Sequence, residues 1–218
     1  MLASVLALTK AKLEPLLHPR DFFVFVFGPA LDADKPVIAP TSRLNGDSDT
    51  LEHARYLRYR TKQRLEELGF SVDFGEAKDV LKFWLEFFHA PDAATAEIHH
   101  ASKASGAVVI FPGSFGSMAE LALFARQDDI AEKTVAIVHE SYATASSFFR
   151  QGLIEIFETY NGKTKYVNYA NHDVCVEYAV RFVRSKYSKA LAELEDVTRI
   201  RRRNRGKVFD HALEDSAD

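Results

Sequence analysis

Apolar residues in this chain fall into short unbroken runs, separated by longer stretches in which they recur every three or four positions. Phe22 to Phe27 is the first run, and it stops at Gly28 and Pro29. An unbroken run of this length predicts a strand buried on both faces. Residues 30 to 49, rich in Pro, Asp, Ser and Gly, predict a long loop, and such loops in compact domains are often functional. Leu51 to Leu68 has helical spacing and is closed by Gly69. A second strand is expected at Phe70 to Phe74, and helices at Val80 to His89 and Ala93 to Ser105. A third buried strand follows at Ala107 to Phe111, then a helix at Ser117 to Gln127. A fourth strand at Thr134 to Val138, a helix at Ser146 to Tyr160, a fifth strand at Lys165 to Tyr169 and a helix at Val174 to Leu194 complete the pattern. Strands alternating with helices predict an α/β fold, a Rossmann-like doubly wound parallel sheet of about five strands with helices on both faces.

Composition narrows this picture. A chain of 218 residues with 47% apolar content can fill one sizeable core. The expected organisation is a single nucleotide-binding α/β domain over residues 1–196, including a short N-terminal helix with Leu6, Leu13, Leu16 and Leu17 on one face. A charged tail over residues 197–218 follows. The net charge of -3 carries no overall nucleic-acid or membrane signature. The lone Cys175 fits a reducing compartment, and no uncharged run approaches a membrane span, so a cytoplasmic location is expected. Arg199, Arg201, Arg202, Arg203, Arg205 and Lys207 crowd the tail. They read either as a solvated terminus or oligomer contact, or as a phosphate-binding run.

The stretch richest in chemistry is residues 107–125. A buried strand feeds the loop Pro112-Gly113-Ser114-Phe115-Gly116-Ser117, and a helix begins at once. Ligands of doubly wound sheets bind beyond the carboxyl ends of the strands. A helix start offers N–H groups and a positive dipole end. Gly113 and Gly116 permit close backbone approach, and Ser114 and Ser117 add hydroxyls, so the loop predicts a cradle for phosphate or another anion. Glu120, expected in the first turn, has two readings. Ser117 and Glu120 form a capping box, or Leu121, Leu123 and Phe124 turn into the core and leave the Glu120 carboxylate facing the crevice.

The nine residues from Pro112 to Glu120 resemble the P-G-G-x-G-T-x-x-E signature of the "lonely guy" (LOG) phosphoribohydrolases, which split the bond between a base and ribose 5'-phosphate. Residues 133–157 resemble that family's next strand and helix. With M-A-E-L at residues 118–121, the segment is also similar to nucleoside 2-deoxyribosyltransferases, whose equivalent glutamate attacks C1'. Glu97, the strand AVVIF and the run from Gly116 to Ala125 are closest in texture to the deoxyribosyltransferase-like effectors of bacterial retron antiphage systems. The resemblance covers residues 22–29 and 94–169. An arginine of LOG enzymes falls on Glu97 here, and an aspartate of the transferases falls on Ser114, so the chain sits between the two enzyme groups.

The resemblance implies an enzyme that breaks an N-glycosidic bond of a nucleoside, nucleotide or NAD-like substrate, as hydrolase or base-exchanging transferase. Glu120 is then the catalytic carboxylate at C1' and Glu97 the assisting acid. Glu97 equally reads as a solvated helix residue. Other classes stay open: a sensor that binds a nucleotide signal without cleaving it, an effector subunit held silent by a defence-system partner, or a LOG-type nucleoside 5'-monophosphate phosphoribohydrolase.

Gly28 and Pro29 sit where the superfamily's first ligand loop lies, although a tight turn explains them too. Arg58 interrupts the apolar stripe of its helix and either reaches a phosphate or snorkels past the core. His99 and His100 point apart, and no other spacing suits a metal, so no metal or cofactor is expected. Phe83, Trp84, Phe87 and Phe88 read as core or subunit contact. With the superfamily resemblance, they motivate an expected homo-oligomer.

Overall fold

The computed structural model describes residues 17–32, 36–40, 47–74, 82, 85–86, 91–144 and 146–214, and the side chains of these except at 47–48 and 199–214. The expected N-terminal helix, save Leu17, and the helix at residues 80–89, save residues 82, 85 and 86, lie outside the described residues, and so does the whole of the aromatic cluster Phe83, Trp84, Phe87 and Phe88.

Five strands form one sheet in which every pairing is parallel. They are β1 (Phe23–Phe27), β2 (Ser71–Phe74), β3 (Ala107–Ile110), β4 (Thr134–His139) and β5 (Lys163–Val167), in the order β2-β1-β3-β4-β5. Helix α1 (Asp47–Glu67) links β1 to β2, and α2 (Ala93–Lys103) precedes β3. Between β3 and β4 lie α3 (Phe115–Phe124) and the short α4 (Asp128–Ala131). A π-helical stretch, Phe149–Ile154, runs into α5 (Glu155–Thr159), and α6 (His172–Glu214) closes the chain. This is the doubly wound α/β arrangement that the alternation predicts.

Successive residues of a strand point to opposite faces, so a central strand needs apolar side chains at every position. β1 and β3 meet that need. Val24, Val26, Val109 and Phe111 pack towards α1 and α6, whereas Phe25, Phe27, Val108 and Ile110 pack towards α2, α3 and α5. β5 differs: Lys163 and Lys165 are exposed, as suits an edge strand that must not recruit another chain. Gly69, with φ of +86°, ends α1; its N–H donates to Glu66 O and that of Phe70 to Leu65 O.

Several boundaries differ from expectation. The helix expected at residues 117–127 starts two residues earlier, because Ser114 caps it, and breaks before α4. The fifth strand ends at Val167, and Tyr169 turns into the core instead of continuing the ladder. The first part of the helix at 146–160 is π-helical, and there the Phe148 ring presses on Gly152. The last helix does not stop at Leu194 but continues to Glu214. Among the described residues no helix is long and apolar enough to cross a membrane.

The chain leaves β1 towards β2 on one side, and β3 leads to β4 on the other. Between their carboxyl ends opens the crevice that this topology offers to ligands. The Gly28–Pro29 turn and the loop at 112–117 flank it.

Candidate active site

Ser114 is the N-cap of α3. Its Oγ accepts from Ser117 N at 3.2 Å, while Ser117 Oγ accepts from Gly113 N and Ser114 N, both at 3.0 Å. This is a reciprocal capping box built from two serines. It corrects the expected pairing of Ser117 with Glu120: the capping positions are already taken, one turn earlier. Ser117 is buried, so its hydroxyl shapes the loop from within. The box engages the amides of Gly113, Ser114 and Ser117, which leaves those of Phe115 and Gly116, both exposed residues, at the positive end of α3.

The two glycines have separate reasons. A Cβ on Gly113 would stand 2.6 Å from Ala54 Cβ and 3.2 Å from Pro29 Cγ, so Gly113 lets the β3 loop press against α1 and the β1 loop. A Cβ on Gly116 would meet nothing closer than Ser114 Oγ at 3.8 Å. The open approach is thus at Gly116.

Glu120 is the sixth residue of α3, in its second turn and half-buried, with Oε2 shut off from solvent. Glu97 is the fifth residue of α2 and also half-buried. Both helices start at the carboxyl edge of the sheet and descend the same face, in contact with each other. Glu97 and Glu120 therefore sit on neighbouring helices of one face of the sheet.

Arg58 is 1% exposed. Its Nε donates to Val26 O at 3.1 Å, and one terminal nitrogen to Gly28 O at 3.1 Å and Pro29 O at 3.0 Å. Its guanidinium also lies over Phe74, 4.5 Å from the ring centroid. This side chain fastens the end of β1, and Arg55 Nε continues the job at Ala30 O. Gly28 and Pro29 are buried beneath it, and a Cβ on Gly28, at φ +159°, would stand 3.1 Å from Arg58 Cδ.

Tyr169 was not anticipated. Fully buried, its hydroxyl lies 2.6 Å from Ile137 O and 3.1 Å from Pro112 O, tying the β3 loop to β4. Burial raises its pKa well above the ordinary phenol value, so it stays a donor. Three histidines gather on the same side. His53 Nδ1 and His172 Nε2 are 2.8 Å apart, and His139 packs on the Tyr169 ring. His139 Nδ1 accepts from Ser141 N, which marks the neutral ring. Burial, with His53 nearby, lowers the pKa of both His139 and His172. A sequence reading had no handle on these contacts, since the three histidines come from α1, β4 and α6.

Burial pushes the Cys175 thiol up to about 12, which removes it as a nucleophile near neutral pH. Among the described residues no group of His, Cys, Asp or Glu could hold a metal ion. A cavity of about 540 Å³ between α1 and α6 is lined by Tyr56, Arg60, Arg64 and His172. It lies on the opposite face from Glu97 and Glu120, so its size does not make it the reactive centre.

The family model for the STM3845 retron effector protein matches residues 54–213. The chain belongs to that family. Within the retron effector match fall α1 from Ala54 onward, the whole of α2 and α3 with Glu97 and Glu120, and α6 almost to its end; Gly28 and Pro29 precede it. No curated protein matches the chain. The retron-effector part of the sequence resemblance is thereby borne out, at the level of the family and not of a reaction.

Proposed function

We propose that this retron effector carries out antiphage defence by breaking an N-glycosidic bond in a nucleoside, nucleotide or NAD-like molecule. The observation that carries this reading is the serine capping box. It accounts for the helix start without Glu120, whose carboxylate is instead half-sheltered one turn below the crevice.

Cleavage of such a bond builds positive charge on the sugar as the C1'–N bond breaks and its electron pair leaves with the base. The Glu120 carboxylate stabilises that charge or bonds to C1', and Glu97 delivers the proton the departing base needs. The amides of Phe115 and Gly116 hold a phosphate or another anionic group of the substrate. Water then completes hydrolysis; a second base would give exchange. A nucleoside 5'-monophosphate, as in LOG-type hydrolysis, fits the same scheme. The test is incubation with a panel of nucleosides, nucleotides and NAD, followed by chromatography. Free base is expected, and binding without release of base would contradict the proposal.

Family membership favours a second element. An effector in a defence system acts with a partner that keeps it silent, and such a subunit could respond to a nucleotide signal without cleaving it. Cleavage by the isolated chain that stops when the co-expressed system is added back separates an enzyme under partner control from a pure sensor.

A further inference from the structure

Helices α1 and α6 both start at the carboxyl edge of the sheet and run side by side down one face. The Tyr56 and His172 rings meet at 61° with 4.6 Å between centroids, which fixes the register of the two helices. Against this contact opens the cavity of about 540 Å³. Small-molecule sites span about 300–1,000 Å³. Tyr56, His172 and Val176, all half-buried, give it an aromatic and apolar floor. The His172 ring is uncharged at neutral pH, because burial, with His53 beside it, lowers its pKa.

Charge on the walls is sorted. Tyr56, Arg60 and Arg64 are spaced four apart and form one row along α1. A helix rises about 1.5 Å per residue, so the two arginines attach about 6 and 12 Å down the groove from Tyr56. Asp173 and Glu177 form a facing row on α6, with Asp173 at the level of the rings. Arg60 donates to Gln63 at 2.9 Å, and Arg64 pairs with Glu67 at 2.9 Å, each along α1. Among the described residues no ion pair crosses from these arginines to Asp173 or Glu177. Two guanidinium groups and two carboxylates therefore face one space without neutralising each other.

We propose that this groove is a second nucleotide site, taking a ribonucleoside monophosphate whose base carries an exocyclic amino group. The order of groups along the groove matches that ligand. The base lies against the Tyr56 and His172 rings and donates its amino N–H to Asp173. The ribose hydroxyls donate to Glu177, as they do to the acidic residue of dinucleotide-binding folds. The phosphate reaches Arg60 and Arg64, whose forked donors suit its oxygens. A simple anion would meet the two carboxylates as well, and a simple cation the two arginines, so a ligand with both kinds of group fits best. The groove is on the opposite face from Glu97 and Glu120, and the site is independent of the reaction proposed there.

Isothermal titration calorimetry with AMP tests it, on the full chain carrying Glu120→Gln so that AMP is not consumed. A binding event is expected that Arg60→Ala with Arg64→Ala weakens by about tenfold or more. AMP held at the crevice would survive that change, so the two locations are told apart. Arg60→Lys with Arg64→Lys keeps the charge and should recover part of the affinity. Asp173→Ala should remove the preference for AMP over UMP, whose base lacks the amino group. Circular dichroism should be unchanged throughout, since Arg60, Arg64 and Asp173 are all exposed. No binding at millimolar AMP, binding indifferent to the loss of both arginines, or inorganic phosphate or UMP held as tightly as AMP would each overturn the proposal.

Discussion

Ser117 holds the position where an acid often completes a capping box, and this leaves Glu120 for another task. The same economy governs its neighbours. Gly113 is small because Ala54 is there, whereas Gly116 borders open space. Gly113→Ala should therefore cost about 1–3 kcal/mol through overpacking, and Gly116→Ala should leave the melting temperature unchanged or slightly higher. Urea titration of both variants checks this; equal losses would remove the distinction. Tyr169→Phe keeps the ring but takes the donor from Ile137 O and Pro112 O. Buried carbonyls left without a donor predict a loss of about 1–3 kcal/mol. A variant as stable as the wild type would show that the β3 loop does not depend on that hydroxyl.

At the level of elements, the strands were the most legible part. FVFVF and AVVIF are apolar at every position, and only a strand covered on both faces needs that. Helix ends were less so, because they turn on which side chain caps: a Ser-x-x-Ser start and a Ser-x-x-Glu start differ by one turn, and both can be written over residues 114–120. Arg58 shows the limit differently. A cation in an apolar stripe reads as a ligand for phosphate, yet the carbonyls it binds belong to β1 and the turn that follows it, about thirty positions away. Tyr169 and the three histidines were invisible for the same reason, since their partners are set by the fold and not by spacing. The run of arginines looked like a tail by charge alone, but between Gly162 and Gly206 no glycine or proline interrupts the chain, and the helix carries on.

The whole molecule carries a pH dependence. His139 and His172 lie where α1, β4 and α6 converge, and burial lowers both of their pKa values. An unfolded histidine titrates at about 6.5. Below that pH the unfolded chain takes up protons that the folded one resists, so their contribution to stability is complete above about pH 6.5 and lost as pH falls through the folded values. The melting temperature should drop between pH 7.5 and 5.5, and His139→Gln should flatten that drop. An identical slope in the variant would assign the effect to other groups.

The family match and the doubly wound sheet place this chain among retron effectors with a crevice at the start of α3; whether chemistry occurs there rests on Glu120. Glu120→Gln keeps the shape of the side chain and removes its charge. If the carboxylate supports a developing cation at C1', the barrier rises by several kcal/mol, and each 1.36 kcal/mol is about tenfold in rate. Release of free base from a nucleotide or NAD should fall by roughly a thousandfold or more, while the unfolding free energy stays within about 1 kcal/mol of wild type because the serines cap the helix. A Glu120→Gln protein that is stable and still releases base at the wild-type rate would contradict the assignment of Glu120 as the catalytic carboxylate.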